Sequence, residues 1–594
     1  MSYLKFDKSL MINLEQSLPK EMLRTNKSGA YHCTSIVGCN TRKQHGLLVI
    51  PIPEMDEQAH VLLSSFDETV IQHDAPFNLG IHQYGENVFS PNGHKYIRQF
   101  DCESVPTVTY RVGGVILTKE KVFISHENRI LIKYTLVEAH SPTTLQFRPF
   151  LAFRNANELC IENNSLNKDM QSVANGLSCC LYPGYPELFM QFNKEAKWVS
   201  DGHWYKGIEY YKDRDRGLPY KEDLWVPGYF ELPIKKGESI IFSASTFVAK
   251  PEEFEKTYED EIATRTTRTS FYNCLKNSAK QFYYKKDDEM YIMAGYPWLN
   301  VRARDELMAL PGCTLSINHK KDFETIMDTL VSALQRYINT GEKHRNIKEI
   351  DLPDISLWAI WAIQQYKRAY GNEECLEKYG HVVKYLVEAI REERIYNLYL
   401  NDNGLLSTNG QNSPVTWLCA TVNGRPIIPR TGYIVEYNAL WYNALLFTAA
   451  IQRCLGKEQV ADLMEYQAEV AKDNFVKTFW NGYYLDDYVD GDYHNNEVRP
   501  NQIIAASLPF SPLDKKQRKA VVDICTKELY TPKGLRTISP KSGGYRPEYI
   551  GGQLERDRNF HNGPVWPWTI AAYAIAYLKV YQHSGESFIR RLLT

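Results

Sequence analysis

Four stretches in the second half of the chain set tryptophan beside polar groups: Ala-Gly-Tyr-Pro-Trp-Leu-Asn (294–300), Pro-Val-Thr-Trp-Leu-Cys-Ala (414–420), Ala-Leu-Trp-Tyr-Asn-Ala-Leu (439–445) and His-Asn-Gly-Pro-Val-Trp-Pro-Trp (561–568). A pyranose ring offers C–H groups that stack on indole, and hydroxyls that need Asp, Glu, Asn, Gln, Arg or His partners. Core packing or a tight Gly-Pro turn would explain any one of these tryptophans equally well. Eight of the eleven tryptophans fall after Met290, however, and four such clusters in one region point to a neutral polyhydroxylated ligand.

Arg304-Asp305 opens a helical segment just after the first aromatic loop. Two readings stand for Asp305: a carboxylate complementing a helix dipole, or a ligand for sugar hydroxyls. Glu436 and Asn438 begin the segment Ile-Val-Glu-Tyr-Asn-Ala-Leu-Trp and are open to the same two readings, cap or ligand. No glycine-rich phosphate loop, nicotinamide fingerprint or metal-ligand spacing occurs, so no cofactor and no metal is expected. The twelve cysteines lack C-x-x-C spacing and read as reduced, mostly buried thiols of a cytoplasmic protein.

The elements that must position these groups change character along the chain. Up to about residue 250 the sequence alternates with period two in short runs, such as HGLLVIPIP (45–53), VLLSSFDETVIQ (61–72) and ILIKYTLVEA (130–139), broken by turn residues such as Val-Gly-Gly-Val (112–115). Residues 251–288 are polar with helical period and read as a connecting helix. From 289 to 594 come amphipathic segments starting near 303, 321, 353, 373, 433, 457, 499, 513, 565 and 584. The fold class expected is therefore multi-domain β + α, a sandwich followed by a ring of helical hairpins. The absence of βαβ alternation argues against a TIM barrel. With 69 basic and 71 acidic residues, the chain has no nucleic-acid footprint, and it has no apolar run long enough for a membrane span.

AGYPWLNVRARDELMALPG (294–312), TGYIVEYNALWYNAL, RPNQIIAASLP and RTISPKSGGYRPEYIGGQLERDRNFHNGPVWPW resemble, in order, signature segments of the bacterial glycogen debranching enzymes, the amylo-α-1,6-glucosidase family. LRTNKSGAYHCTSIVGCNTRKQHGLLV (23–49) and LLSSFDETV (62–70) resemble the start of that family's N-terminal domain. The resemblance implies an N-terminal β-supersandwich, an (α/α)6 barrel, and inverting hydrolysis of α-1,6-linked glucose at branch points of glycogen or limit dextrin. It further implies that Arg304 and Asp305 grip the terminal glucose. Trp298, Trp417, Glu436, Asn438, Trp441, Arg499, Asn501, Gln502, His561 and Trp566 would line the pocket.

Two departures bear on catalysis. Inverting hydrolysis uses one carboxyl to protonate the leaving oxygen and another to activate water, about 6.5–9.5 Å apart. The family's acid corresponds to the aspartate of a TWMDA motif, and here Thr416-Trp417-Leu418-Cys419-Ala420 puts a thiol in that place. A thiol, with a reference pKa of about 8.5, is a poor proton source for a glycosidic oxygen. The family's base lies in a segment resembling ISEIFDG that is not found before Thr594. About ten helices precede that point where a six-hairpin ring needs twelve, so the barrel is expected to be incomplete at its C-terminus. Among Glu436, Asp402, Glu555 and Asp557, Glu436 is the first candidate for a replacement acid. The rival to a working hydrolase is a catalytically impaired α-glucan-binding paralogue or truncated gene product.

Overall fold

The computed structural model describes residues 2–56 and 58–593. The chain divides into two compact units at Asp288/Glu289, a sheet-rich first unit and a helical second one.

The first unit is built from two large antiparallel sheets of nine and eight strands. Strand Thr107–Val112 alternates buried and partly exposed residues, as one-sided packing requires. It turns back through Gly113 and Gly114, at φ 56° and 80°, into Val115–Phe123, with Val112 paired to Val115. A two-residue turn with both residues left-handed matches strand twist, and glycine adopts it without Cβ strain. One core joins both sheets: Phe66 of the second sheet stacks on Phe242 of the first, ring centroids 4.0 Å apart. Each large side chain buried in this way contributes about 1.5–3 kcal/mol.

The expected connecting helix is broken in two, at Phe254–Ala263 and Phe271–Gln281. The cause is the run Thr264-Arg-Thr-Thr-Arg-Thr-Ser270, whose β-branched residues resist helix and whose Ser270 caps the second piece by accepting the Asn273 N–H at 3.2 Å.

In the second unit, eleven α-helices lie among the described residues. Nine start close to expected segments. The short helix Gln553–Asn559 was not foreseen, and the segment expected near 565 begins at Thr569, because Val565–Trp566 pairs as a strand and Pro567 follows. The helix Val435–Cys454 has sixteen of its twenty residues buried. It packs against Ile355–Tyr370, Asn372–Arg391, Glu458–Phe479 and Asn501–Ser507, so nearly its whole circumference is core. The helices Ala303–Cys313, Ile355–Tyr370, Val435–Cys454 and Asn501–Ser507 bring Arg304, Asp354, Glu436 and Asn501 to their N-terminal ends.

Gly432 starts the strand that runs directly into the helix at Val435. Its φ is 81°, and a Cβ there would lie 2.2 Å from the Val489 carbonyl oxygen. Gly432→Ala is expected to cost about 2–4 kcal/mol, read as a lower denaturant midpoint; an unchanged midpoint would mean that the loop yields freely.

Candidate functional site

Arg304 and Asp305 are neighbours with opposite environments. The Arg304 guanidinium is buried and pairs in two places with Asp354, Nε to Oδ2 at 2.7 Å and Nη2 to Oδ1 at 2.9 Å. Nη2 also donates to the Val415 carbonyl at 3.3 Å, and Trp358 Nε1 donates to Asp354 at 3.2 Å. The carboxylate of Asp354 and burial fix Arg304 as a charged structural tie between two helix starts and the Thr416-Trp417 loop. Two of its three nitrogens are thus committed to the protein's own groups, beside the sugar-gripping role expected of that residue. Asp305 is exposed and makes no hydrogen bond or ion pair among the described residues. Enough protein surrounds it that desolvation raises its pKa, against the pull of Arg304 and Arg302.

Glu436 is also consumed by the scaffold. Arg430 holds it with both terminal nitrogens, Nη2 to Oε2 at 2.7 Å, and reaches Asp487 through Nε at 2.9 Å. Burial raises the Glu436 pKa and the Arg430 charge opposes the shift. Glu436 is thus buried beneath its arginine at 2% exposure, with both carboxylate oxygens engaged. The chain of bonds continues from Asp487 to Asn501, whose Nδ2 donates at 2.7 Å, and from Asn501 to Trp417, whose Nε1 donates to Asn501 Oδ1 at 2.7 Å.

Around Trp417 the aromatic residues pack edge to face: Trp568, His561 and Trp566 have centroids at 5.0, 5.3 and 5.5 Å. His561 accepts the Cys419 backbone N–H on Nε2 at 3.1 Å, which assigns its proton to Nδ1. Burial and the nearby Arg499 push its pKa down to about 3, so it stays neutral. Arg499 donates to the His561 carbonyl at 2.9 Å and to Asn562 Oδ1 at 3.0 Å. Asn438 spends its amide on Leu406 and Ile434 backbone, Trp441 donates to the Gly404 carbonyl at 3.2 Å, and Gln502 accepts the Leu485 N–H at 3.3 Å. Trp298 is 48% exposed and Trp566 half-buried.

Cys419 lies within electrostatic reach of Arg304, Arg302, Asp305 and Glu349, and burial raises its thiol pKa above the ordinary value. The thiol is protonated at neutral pH, neither a competent acid nor a nucleophile. Glu349, unforeseen from sequence, belongs to this group: it is left-handed at φ 62° and pairs with Arg302 at only 3.6 Å. A bulky residue held in that region marks a spot that the surroundings enforce. Of the other carboxylates considered, Glu555 accepts the Gly552 N–H at 2.9 Å and Asp557 accepts from Gln553 at 2.7 Å.

Among the described residues, Glu21, Cys33 and His45 are grouped with ligand-type spacing, within 4.8 Å of one another. Their chemistry does not suit a metal. Glu21 already faces Arg42 at 2.8 Å and Lys212 at 2.5 Å, His45 Nδ1 accepts the Thr41 N–H, and burial pushes the Cys33 thiol up to about 12.

The family model described as Amylo-alpha-1,6-glucosidase matches residues 274–593, more than half of the chain. The chain belongs to that family. A second model, Glycogen debranching enzyme N terminal, matches residues 20–241. The glycogen debranching enzyme of Saccharomyces cerevisiae is 26% identical over 191 residues, covering 26% of this chain and only 12% of the yeast protein's length. A bacterial glucoamylase solved in complex with acarbose aligns with a TM-score of 0.51 at 12% identity, over 97% of this chain and 88% of that one, a likeness of fold. The chain is thus a member of a glycoside hydrolase family, and no described helix is long and apolar enough to cross a membrane.

Next to Asp305, Glu306 is fully buried; its Oε1 accepts the Ile292 N–H at 2.8 Å and Oε2 has no partner among the described residues. Burial raises its pKa to about 8. Because the folded state binds this proton more tightly than the unfolded chain, its contribution is full below about pH 4.5 and is lost as pH rises through about 8. Glu306→Gln is expected to flatten that decline and raise the unfolding temperature above pH 7; equal pH profiles for variant and parent would refute the assignment.

Proposed function

We propose that the second unit recognises the terminal α-1,6-linked glucose of a glycogen-type branch through Asp305, and that the thiol at Cys419 leaves its hydrolysis strongly impaired. The observation that carries this reading is the contrast between neighbours: Arg304 is tied to Asp354, while the Asp305 carboxylate stands exposed and unpartnered beside the Cys419 loop. An ionised carboxylate accepts hydroxyl hydrogen bonds, and charge-assisted bonds are the stronger ones. Trp298 and Trp566, at the partly open positions, supply indole surface.

In this reading residues 1–250 form a supersandwich of debranching-enzyme type, 251–288 connect, and 289–594 form the (α/α)6-type glucosidase domain. The glucoamylase likeness supports that architecture, and the family match supports a glucan ligand. We take the setting to be reducing and cytoplasmic, in keeping with cysteines that form no disulfide among the described residues.

The mechanism follows from proton inventory. An inverting step needs an acid for the leaving oxygen and a base for water. The protonated thiol of Cys419 is too weak an acid to take the first role, and His561, held neutral, cannot supply the proton either. A second reading keeps turnover by using Glu349 as the replacement carboxyl, favoured by its enforced left-handed backbone beside Cys419.

Affinity electrophoresis through glycogen is expected to retard the chain, and Asp305→Ala to weaken retardation at least tenfold; no change would remove Asp305 from the site. Glucose release from phosphorylase limit dextrin is expected to be near background and to rise in Cys419→Asp, by the 10²–10⁴-fold (roughly) that general acid catalysis contributes. Residual release abolished by Glu349→Gln would favour the second reading over the first.

A further inference from the structure

The strand Val115–Phe123 of the first unit turns two lysines into the space between the sheets. Lys119 and Lys121 are only 7% and 6% exposed, and both line a polar cavity of about 30 Å³ with Glu68, Asp67 and Tyr110. At about 10–15 Å³ per water-sized position, that volume holds two or three.

Most of the wall is already bonded. Glu68 pairs with Lys119 and accepts the Tyr134 hydroxyl at 2.5 Å. Asp67 faces His82 at 2.8 Å, and Thr34 donates to Asn40 at 2.8 Å. Two groups are left over: Lys121 Nζ and the Tyr110 hydroxyl make no hydrogen bond or ion pair among the described residues. Both are donors, both are more than nine-tenths buried, and both belong to the cavity wall. A buried ammonium without a counter-ion is strongly disfavoured, and the nearest carboxylate, Glu68, already serves Lys119.

We propose that this cavity binds one small monovalent anion, of chloride or bicarbonate size, between the Lys121 ammonium and the Tyr110 hydroxyl. A cation would add to Lys119 and Lys121, and a monosaccharide is too large for two or three water positions. Water would satisfy the hydrogen bonds but not the charge. Lys119 and Glu68 are the charges that act on Lys121; on the other sheet His32 is kept neutral by burial, by Lys121 and by Arg24, and Asp67 lines the cavity. Burial and Lys119 bring Lys121 down to about 7. Anion entry therefore draws a proton onto the amine, and affinity falls as pH rises above 7.

The test is thermal unfolding of the full chain in sodium chloride or bicarbonate against sodium gluconate, too large for the cavity, at matched ionic strength. Near pH 6.5 the unfolding temperature is expected to rise by roughly 3 °C per tenfold anion above half-saturation, and not to rise near pH 9. The anion that saturates at the lower concentration is the preferred one. Lys121→Met and Tyr110→Phe are each expected to abolish the increment, and the second serves should the first fail to fold. Chloride NMR line broadening by the parent chain, lost in the variants, reads binding directly. Equal responses to chloride, bicarbonate and gluconate, or an increment that survives both substitutions, would mean a cavity holding water only and would overturn the proposal.

Discussion

The second unit depends on two buried guanidinium groups. Arg304 with Asp354, and Arg430 with Glu436 and Asp487, each take charges out of water at a cost that only near-complete hydrogen bonding offsets. Removing one partner of such a pair costs about 3–5 kcal/mol, because the other charge is left stranded. These pairs determine where helices begin: the helices starting at Ala303 and Ile355 are tied by the first, and the start at Val435 is tied to the strand Tyr488–Asp490 by the second. The loop carrying Trp417 hangs between them, held by Arg304 through Val415 and by Asp487 through Asn501.

That arrangement divides the motif residues into a scaffold and a thin outer layer. Asn438, Trp441, Arg499, Asn501 and Gln502 use their polar atoms on the protein's own backbone and side chains. What is left toward solvent is the Asp305 carboxylate, the half-open indoles of Trp298 and Trp566, and the partly exposed pair Arg302–Glu349.

Local pattern made the first unit and most helices legible, because period-two alternation, the Gly113-Gly114 turn and amphipathic runs are written within a few residues. The fates of Arg304 and Asp305 were not legible: the residue that claims Arg304 lies fifty positions on, and nothing local distinguishes a tied arginine from a gripping one. The pairing of Glu436 was hidden for the same reason, since Arg430 is close in sequence but Asp487, which completes the cluster, is not. The polarity of residues 251–288 was read as one helix, although the threonines between Thr264 and Thr269 already oppose it. Glu349 gave no signal beyond its charge, because a left-handed glutamate cannot be told from an ordinary one by composition.

A consequence follows for reading activity from motifs in such a chain. Several residues of the signature segments, Asn438, Trp441, Arg499, Asn501 and Gln502 among them, bond to the protein's own groups, and those bonds would be needed whether or not a glycosidic bond is cleaved. Their presence separates a folded member of the family from an unfolded one, and it does not separate a working enzyme from an impaired one. The positions that can make that distinction are those without a structural task. Asp305 is one, exposed and unpartnered. The side chain of Cys419 is another: only its backbone N–H is claimed, by His561, and a carboxyl could stand there without disturbing that bond. Where a side chain has no structural duty, its chemistry is set by ligand and reaction alone, and at Cys419 that chemistry is a protonated thiol.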